Sequence, residues 1–381
     1  MKRESVLRIS AIIHRDLVER TLQKLAQNGV QYVRLEAGRY PILKKRGRLV
    51  FDFYGNHPIL DTPVSILEIL VEPKSEDWIM NLIKESAELN LPGHGSIYSE
   101  EISLIHPIFS ALVVKREIHS LKKTKAFGFS NLTGIFCILP RGSADSISRS
   151  LLQNGIGVPT ISYGTGTGIR DRLGLLRITI PKEKEILKLC VHTSDAEYVL
   201  DFIIDIGKLD LPGRGFIFEY PIKRGLLNTK LSLEDTKQTA SIDQIISALD
   251  LLHGNMEWRK KSNQFRSGAR LRNYFNGVNV HLNCSEGTIE TVLSVLRKAG
   301  VGSSTISKNK ILELSSSARE NEVEYTPARD SADLLIPKSS LPEVLNLLEE
   351  IKFYGNEFEG MVQTEDIPRA FSYQSRTLKK K

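Results

Sequence analysis

The stretch Leu-Asn-Leu-Pro-Gly-His-Gly-Ser-Ile-Tyr at residues 89–98 recurs as Leu-Asp-Leu-Pro-Gly-Arg-Gly-Phe-Ile-Phe at residues 209–218. Each copy follows an amphipathic helical pattern and leads into a strand pattern. A third place, Tyr-Gly-Asn-Glu-Phe-Glu-Gly at residues 354–360, keeps the turn but has lost the Pro-Gly-x-Gly sequence. A turn that recurs between the same kinds of element indicates an internal repeat.

A second recurring phrase is a helix that ends on glycine and runs directly into a strand. It occurs at residues 25–30, 152–156 and 297–301. Gly29, Gly155 and Gly300 therefore hold equivalent positions, since glycine is favoured after a helix, where the backbone turns left-handed. The two phrases together indicate three copies of one module.

The hydrophobic pattern of the first copy predicts the element order βαββαβ. Its predicted elements are strand Val6–Ile13, helix Arg15–Asn28, strand Gln31–Glu36, strand Val64–Val71, helix Glu76–Leu89 and strand Gly95–Leu104. This order favours a four-stranded antiparallel sheet with both helices on one face. We therefore predict an α+β chain of three tandem ferredoxin-like βαββαβ domains, whose open sheet faces cover one another in an intrachain pseudo-trimer.

The predicted domain limits follow from the repeats and from the charge distribution. They are 1–108 for the first domain, 109–132 for a basic connector, 133–229 for the second domain, 230–277 for a helical and basic connector, 278–370 for a degenerate third domain and 371–381 for a basic tail. The net charge of +7 resides in the connectors and the tail, so the predicted domains are acidic. We therefore do not expect nucleic acid as the partner.

The composition is that of an ordinary globular protein, with 41% hydrophobic and 25% charged residues. The cysteines Cys137, Cys190 and Cys284 have no CxxC spacing, and each lies among apolar neighbours. No signal-peptide pattern and no apolar run of membrane-spanning length is found. A cytoplasmic location is therefore expected.

Two stretches of the second copy resemble the P-II signal-transduction (nitrogen regulatory) family. These are Ile-Ser-Tyr-Gly-Thr-Gly-Thr-Gly-Ile-Arg at residues 161–170 and Asp-Leu-Pro-Gly-Arg-Gly-Phe-Ile-Phe at residues 210–218. The resemblance implies the βαββαβ fold and a small-molecule effector bound in clefts between units, with adenine nucleotide as one suggested cofactor. It also implies a partner, either an enzyme or a membrane transporter, that is regulated through long flexible loops. The implied assembly is a monomeric pseudo-trimer or a homo-oligomer.

Three Gly-rich stretches are the candidate ligand-binding sites. The candidate residues are Gly93, His94 and Gly95, then Gly164, Thr165, Gly166, Arg170 and Arg172, then Gly213, Arg214 and Gly215. Successive glycines allow backbone N–H groups to converge on an anion, and an arginine adds paired charged donors. The alternatives are a tight turn at the first and last stretches and a flexible loop root at the middle one.

Two basic segments have other possible roles. Lys44–Tyr54 mixes basic and aromatic residues, as a partner-docking loop or an ordinary hairpin would. Trp258–Phe275 keeps a nucleic-acid-binding module as an alternative function, because base stacking with phosphate contact uses such a mixture. A structural adaptor with empty clefts is the other alternative.

Nothing in the sequence indicates catalysis. We find no HxH or HExxH spacing, no GxSxG motif and no cysteine paired with a nearby histidine. We therefore expect neither an enzyme nor a metal site.

Overall fold

The computed structural model describes most of the predicted repeats. The described residues are 3–44, 59–91, 93–105, 112–115, 127–167, 183–228, 272–298, 301–302, 304–314 and 324–373. Some of the predictions concern residues outside these ranges. They are the predictions for Arg170, Arg172 and Gly300, and for most of the segments Trp258–Phe275 and Lys44–Tyr54.

The first repeat, residues 3–105, has the predicted order of elements. Its elements are β1 (Arg3–His14), α1 (Val18–Gln27), β2 (Tyr32–Leu43), β3 (Ile59–Val71), α2 (Glu76–Ser86) and β4 (Gly95–Ile105). The strands lie side by side in the order β2-β3-β1-β4, and every pair is antiparallel. Both helices pack on one face of the sheet, because Leu25 and Ile79 share a buried cluster with Leu7 and Ile9.

The second and third repeats, residues 132–222 and 275–372, follow the same order. The second consists of β5 (Leu132–Pro140), α3 (Ala144–Gln153), β6 (Thr160–Thr167), β7 (Glu183–His192), α4 (Ala196–Gly207) and β8 (Phe216–Ile222), after which comes the short β9 (Arg224–Leu226). The third consists of β10 (Phe275–Ser285), α5 (Ile289–Lys298), β11 (Ser304–Glu313), β12 (Glu324–Ile336), α6 (Leu341–Glu350) and β13 (Met361–Ser372). Their strand orders, β6-β7-β5-β8 and β11-β12-β10-β13, match that of the first repeat.

The three repeats join through strands at both edges. The second strand of each repeat meets the other two, in the pairs β2–β6, β6–β11 and β11–β2. At the other edge β13 pairs with both β4 and β8, and β9 pairs with β4. The thirteen described strands thus form one antiparallel sheet that closes on itself.

Two kinds of core result from this closure. On the outside, each repeat buries apolar residues between its sheet and its own two helices. On the inside, a further cluster combines residues from all three repeats, among them Tyr40, Phe136, Phe218 and Ile367. Both sheet faces are therefore removed from water, which is why alternate strand residues are buried whether they point outward or inward.

The prediction of an α+β fold is confirmed, and several element limits are corrected. β2 continues to Leu43 instead of ending at Glu36, and β3 begins at Ile59 instead of Val64. β10 begins at Phe275 and β13 ends at Ser372, so both strands extend past the predicted third domain. The predicted domain limits themselves stay a prediction. Among the described residues, no helix combines the length and the apolar character needed to cross a membrane.

Candidate functional site

Both Gly-rich stretches of the second repeat lie at the same end of its sheet. Gly215 leads into β8 beside Ile138, near the end of β5. Glu185 follows on β7, opposite Leu139, and Tyr163 faces Glu185 from β6. Because neighbouring strands are about 4.8 Å apart, the two stretches are separated by roughly 14 Å across the sheet. They border one region but do not form one binding loop.

Gly164, Thr165 and Gly166 are strand residues at the junction with the third repeat. All three pair with β11, and Thr165 lies opposite Ile306. A Cβ atom on Gly164 would lie 2.7 Å from the carbonyl oxygen of Ile306, so a larger residue would push β11 away. Close strand approach therefore supplies a structural reason for glycine here, and ligand contact at these residues stays a prediction.

Two positively charged groups lie between the stretches, the N-terminus of α3 and Arg39, and each is already paired with a carboxylate of the protein. Glu185, which is 4% exposed, accepts a hydrogen bond of 2.8 Å from the backbone N–H of Ala144 at the start of α3. Arg39 of the first repeat lies 3.6 Å from Glu185 and 2.7 Å from Asp145. A helix N-terminus and an arginine are the groups that an anionic ligand would use. The protein satisfies them with its own side chains.

The Gly-rich turn of the second repeat, residues 213–215, exposes the side chain of an arginine to solvent. Gly215 has a φ of 109°, and a Cβ atom there would lie 1.8 Å from the carbonyl oxygen of Ile138, so only glycine fits. The Arg214 N–H lies 3.4 Å from the Leu211 carbonyl, which closes the turn. The Arg214 side chain is exposed, and no hydrogen bond or ion pair joins it to any other described residue.

The equivalent turn of the first repeat, residues 93–95, is already occupied. The Gly93 N–H donates to the side-chain oxygen of Asn228, 3.1 Å away, in the segment that follows β9. The His94 ring lies 3.3 Å from the Ala87 carbonyl and 3.8 Å from Glu88. Gly95 repeats the geometry of Gly215, with a Cβ position 2.0 Å from the Ile12 carbonyl oxygen.

The third turn is acidic and internally bonded. Glu359 pairs with Arg329 at 3.1 Å and accepts a hydrogen bond from Ser285 at 3.2 Å. A Cβ atom on Gly360 would lie 2.4 Å from Phe353, so this glycine is required by packing. Of the three turns, the second is the one that combines glycines with an unpaired described arginine.

A polar chamber lies at the centre of the closed sheet and was missed by the sequence analysis. It is lined by residues of all three repeats, and its cavity volume is about 20 Å³. Its acidic and basic lining residues are Arg8, Arg34, Glu36, Glu68, Glu100, Lys188, His281, Asp333 and Glu365. Since roughly 10 to 15 Å³ holds one water molecule, the cavity has room for one or two.

Ion pairs cross the chamber from repeat to repeat. Arg8 lies 2.7 Å from Glu100 and 3.1 Å from Glu365, which ties the first repeat to the third. Arg34 pairs with Glu68, and Lys188 of the second repeat lies 3.8 Å from the same carboxylate. Burial works against ionisation of Glu68, but Arg34 and Lys188 outweigh it and hold the pKa of Glu68 well below its usual range.

Two further carboxylates in the chamber have pKa values shifted in opposite directions. For Asp333, burial is outweighed by His281, whose Nδ1 lies 2.9 Å away, and the pKa falls to about 2. For Glu365, burial raises the pKa more than the positive charge of Arg8 lowers it. The negative charge of Glu100 raises it further, so the pKa is about 7. Glu365 is therefore close to half ionised at neutral pH.

Several buried polar atoms of the chamber have no hydrogen-bond partner among the described residues. They are Oε1 of Glu36, Oε2 of Glu100, Oδ1 of Asn279, Nε2 of His281 and Nε of Arg34. Their residues are between 2% and 8% exposed. Buried polar atoms are normally bonded, so this group is suited to bind a water molecule or a small polar solute.

The sequence carried a signal for the chamber, but an ambiguous one. Asn279, His281 and Asp333 alternate with apolar residues along β10 and β12, as the solvent-facing residues of an amphipathic strand do. Only closure of the three repeats turns that face inward. Among the described residues, no group of three or more His, Cys, Asp or Glu side chains is arranged to hold a metal ion.

Comparisons with solved structures give matches that include a distant plant relative in shape. A crystal structure of Arabidopsis thaliana PII bound to citrate matches 24% of this chain and 78% of that chain, with 23% sequence identity and a TM-score of 0.19. No protein-family model matches the chain. No curated protein matches it either.

Proposed function

We propose that the chain is a P-II-like regulatory protein that binds a small effector between its repeats. In this proposal the three repeats are ferredoxin-like modules, and one chain supplies the equivalent of a trimer. The cyclic pairing of β2, β6 and β11 supports this arrangement, because each repeat uses the same strand against both neighbours. The cytoplasm is the proposed compartment.

The observation that carries the effector proposal is the unpaired arginine on the second turn. Arg214 lies between Gly213 and Gly215. In the other repeats the corresponding turns are already bonded, through Asn228 in the first and through the Glu359–Arg329 pair in the third. The end of β13 lies beside it, because Ser372 pairs with Phe216. A charged guanidinium beside glycine N–H groups suits a phosphate or carboxylate group. The proposed effector is therefore a small anionic metabolite, with adenine nucleotide as the first compound to test.

Regulation follows if effector binding changes what a partner protein can contact. In this proposal the regulated partner is contacted by residues 45–58 and 168–182, which follow β2 and β6 in the sequence. A ligand shifts such a system only by its difference in affinity for the two states of the protein. In this proposal the partner is an enzyme or a membrane transporter, and the chain itself binds rather than catalyses.

Thermal unfolding of the full chain with candidate effectors tests the proposal. Adenine nucleotides, cyclic nucleotides, S-adenosylmethionine and bicarbonate are added one at a time. An effector at 100 times its Kd is expected to stabilise the protein by about 2.7 kcal/mol. Arg214→Ala should abolish that stabilisation, while Arg15→Ala, an exposed arginine of the first repeat, should retain it. If no compound raises the melting temperature, or if Arg214→Ala responds like the parent chain, the assignment is wrong.

A further inference from the structure

The central chamber holds more negative than positive charge. Four basic side chains line it, those of Arg8, Arg34, Lys188 and His281, and they face five carboxylates. Protonation of Glu365 removes part of this excess, but near pH 8 most of it remains. An uncompensated buried charge is costly, so the folded chamber favours any cation small enough to enter it.

The unpartnered atoms point to the kind of cation. Asn279 is 3% exposed; its side-chain nitrogen donates to Glu365 at 2.9 Å, and its Oδ1 has no partner in the described chain. His281 is 5% exposed; its Nδ1 lies 2.9 Å from Asp333, and its Nε2 has no partner in the described chain. With Oε1 of Glu36 and Oε2 of Glu100, the Asn279 oxygen makes three unpartnered oxygen acceptors in the described chamber, against one unpartnered donor, Nε of Arg34.

We propose that the central chamber binds one small cation that donates hydrogen bonds, of the size of ammonium, in the space that a water molecule would otherwise fill. The cavity of about 20 Å³ excludes larger amines. Oxygen acceptors spread around a cavity suit N–H donors, whereas the carboxylates and imidazoles of the described residues do not converge as metal ligands do. This site is separate from the turn at Arg214 and does not depend on the proposed function.

A second cavity adjoins the chamber between the first and third repeats. This cavity, of about 30 Å³, shares Arg34 and Glu68 with the chamber and is lined on its other sides by Tyr32, Leu112 and Met361. Tyr32 is partly exposed. The Arg34–Glu68 pair therefore separates this cavity from the chamber, and rearrangement of that pair would admit a small ion.

Thermal unfolding in matched salts tests the proposal on the full chain. The protein is melted at pH 8 in the chlorides of ammonium, sodium, potassium and tetramethylammonium at equal ionic strength, so that screening of surface charges is the same. Ammonium is expected to raise the melting temperature by about 2 °C in a saturable manner. The rise should be smaller at pH 6, because a proton on Glu365 removes the charge that attracts the cation. Equal melting temperatures in all four salts would contradict the proposal, as would a rise in potassium or sodium but not ammonium.

A variant and its control locate the effect. Glu365→Gln removes a chamber charge with little change in shape and should lose the ammonium response. Glu219→Gln changes another buried carboxylate with a raised pKa, on β8 outside the chamber, and should keep the response. Should both variants respond like the parent chain, the cation is not bound in the chamber.

A direct measurement needs no variant. Ammonium labelled with ¹⁵N, if held in the chamber, should give a separate proton signal that exchanges slowly with free ammonium, because its N–H groups are shielded from water. Loss of this signal in Glu365→Gln, and its retention in Glu219→Gln, is the expected result. Absence of a bound signal in the parent chain at saturating ammonium would overturn the proposal.

Discussion

Arg8 and Glu365 are 357 positions apart in the sequence, and their side chains meet at 3.1 Å in the central chamber. Arg8 belongs to β1 of the first repeat and Glu365 to β13 of the third, so this contact joins the two ends of the chain. Both side chains are about nine-tenths buried or more. Because a buried ion pair must offset the loss of hydration of both groups, its contribution depends on the protonation of Glu365.

We expect the free energy of unfolding to fall with rising pH in the parent chain, and to fall less in Glu365→Gln. The pKa of Glu365 is about 7 in the folded protein against 4.5 for the ordinary group. Between these values the folded state binds the extra proton, so the free energy of unfolding of the parent falls as pH rises. The glutamine variant should therefore gain on the parent by on the order of 2 to 3 kcal/mol from pH 4.5 to pH 8. Urea unfolding at four pH values measures this difference, and a constant difference would contradict it.

We expect Gly215→Ala to cost far more stability than a glycine change without a steric conflict. The alanine Cβ would lie 1.8 Å from the Ile138 carbonyl oxygen, so the end of β5 would have to move. A loss on the order of 3 kcal/mol or more is expected. Gly29 has a φ of 81° with no atom near its Cβ position, and Gly29→Ala should cost about 1 kcal/mol from backbone strain alone. Denaturant unfolding of both variants compares the two, and equal losses would show that the turn before β8 is not held as described.

The turns and the order of elements could be predicted from the sequence because local chemistry determines them. The Pro-Gly-x-Gly turn precedes β4 and β8, and Gly29 and Gly155 have positive φ after α1 and α3. The length of β2 could not be predicted in this way. Gly38 and Pro41 are typical of a turn, yet β2 runs through both because it pairs with β3 on one side and with β6 at Arg39. Those partners are distant in the sequence, so no local pattern reveals them.

The chamber was missed for a related reason. Arg8 and His281 alternate with apolar residues, and in a single repeat they would face water. Their burial results from closure of the sheet across three repeats, which depends on edge pairings such as β11–β2. Sequence periodicity identifies the two faces of a strand, but it does not show which faces another repeat covers.

Loss of Arg369 should weaken the junction between the second and third repeats in a pH-dependent way. Arg369 lies 3.1 Å from Glu197 and 3.3 Å from the buried Glu219. Burial raises the pKa of Glu219, and Arg369 opposes that rise. Arg369→Gln should therefore destabilise the protein by about 1 to 2 kcal/mol at pH 8, where Glu219 must ionise without a partner, and by less at pH 5.

The control for this junction is an exposed ion pair within the third repeat. Lys338 and Asp366 lie 3.1 Å apart with more than half of each side chain exposed. Such pairs contribute little, so Lys338→Gln should change the free energy of unfolding by less than about 0.5 kcal/mol at either pH. A loss for Arg369→Gln that is equally small, or independent of pH, would show that the pair with Glu219 does not support the junction.

The carboxylate of Glu185 should be replaceable by a small anion from solution. Glu185→Ala would leave the Ala144 N–H at the start of α3 without its acceptor and would take one carboxylate from Arg39, at a cost on the order of 2 kcal/mol. Formate at tens of millimolar should restore part of the lost melting temperature, because it offers the same oxygens to the same donors, whereas chloride at equal ionic strength should not. The parent chain is the control, since its own carboxylate fills the place and formate should leave its melting temperature unchanged. If formate acts equally on both proteins, the helix N-terminus and Arg39 do not form an anion site that Glu185 occupies.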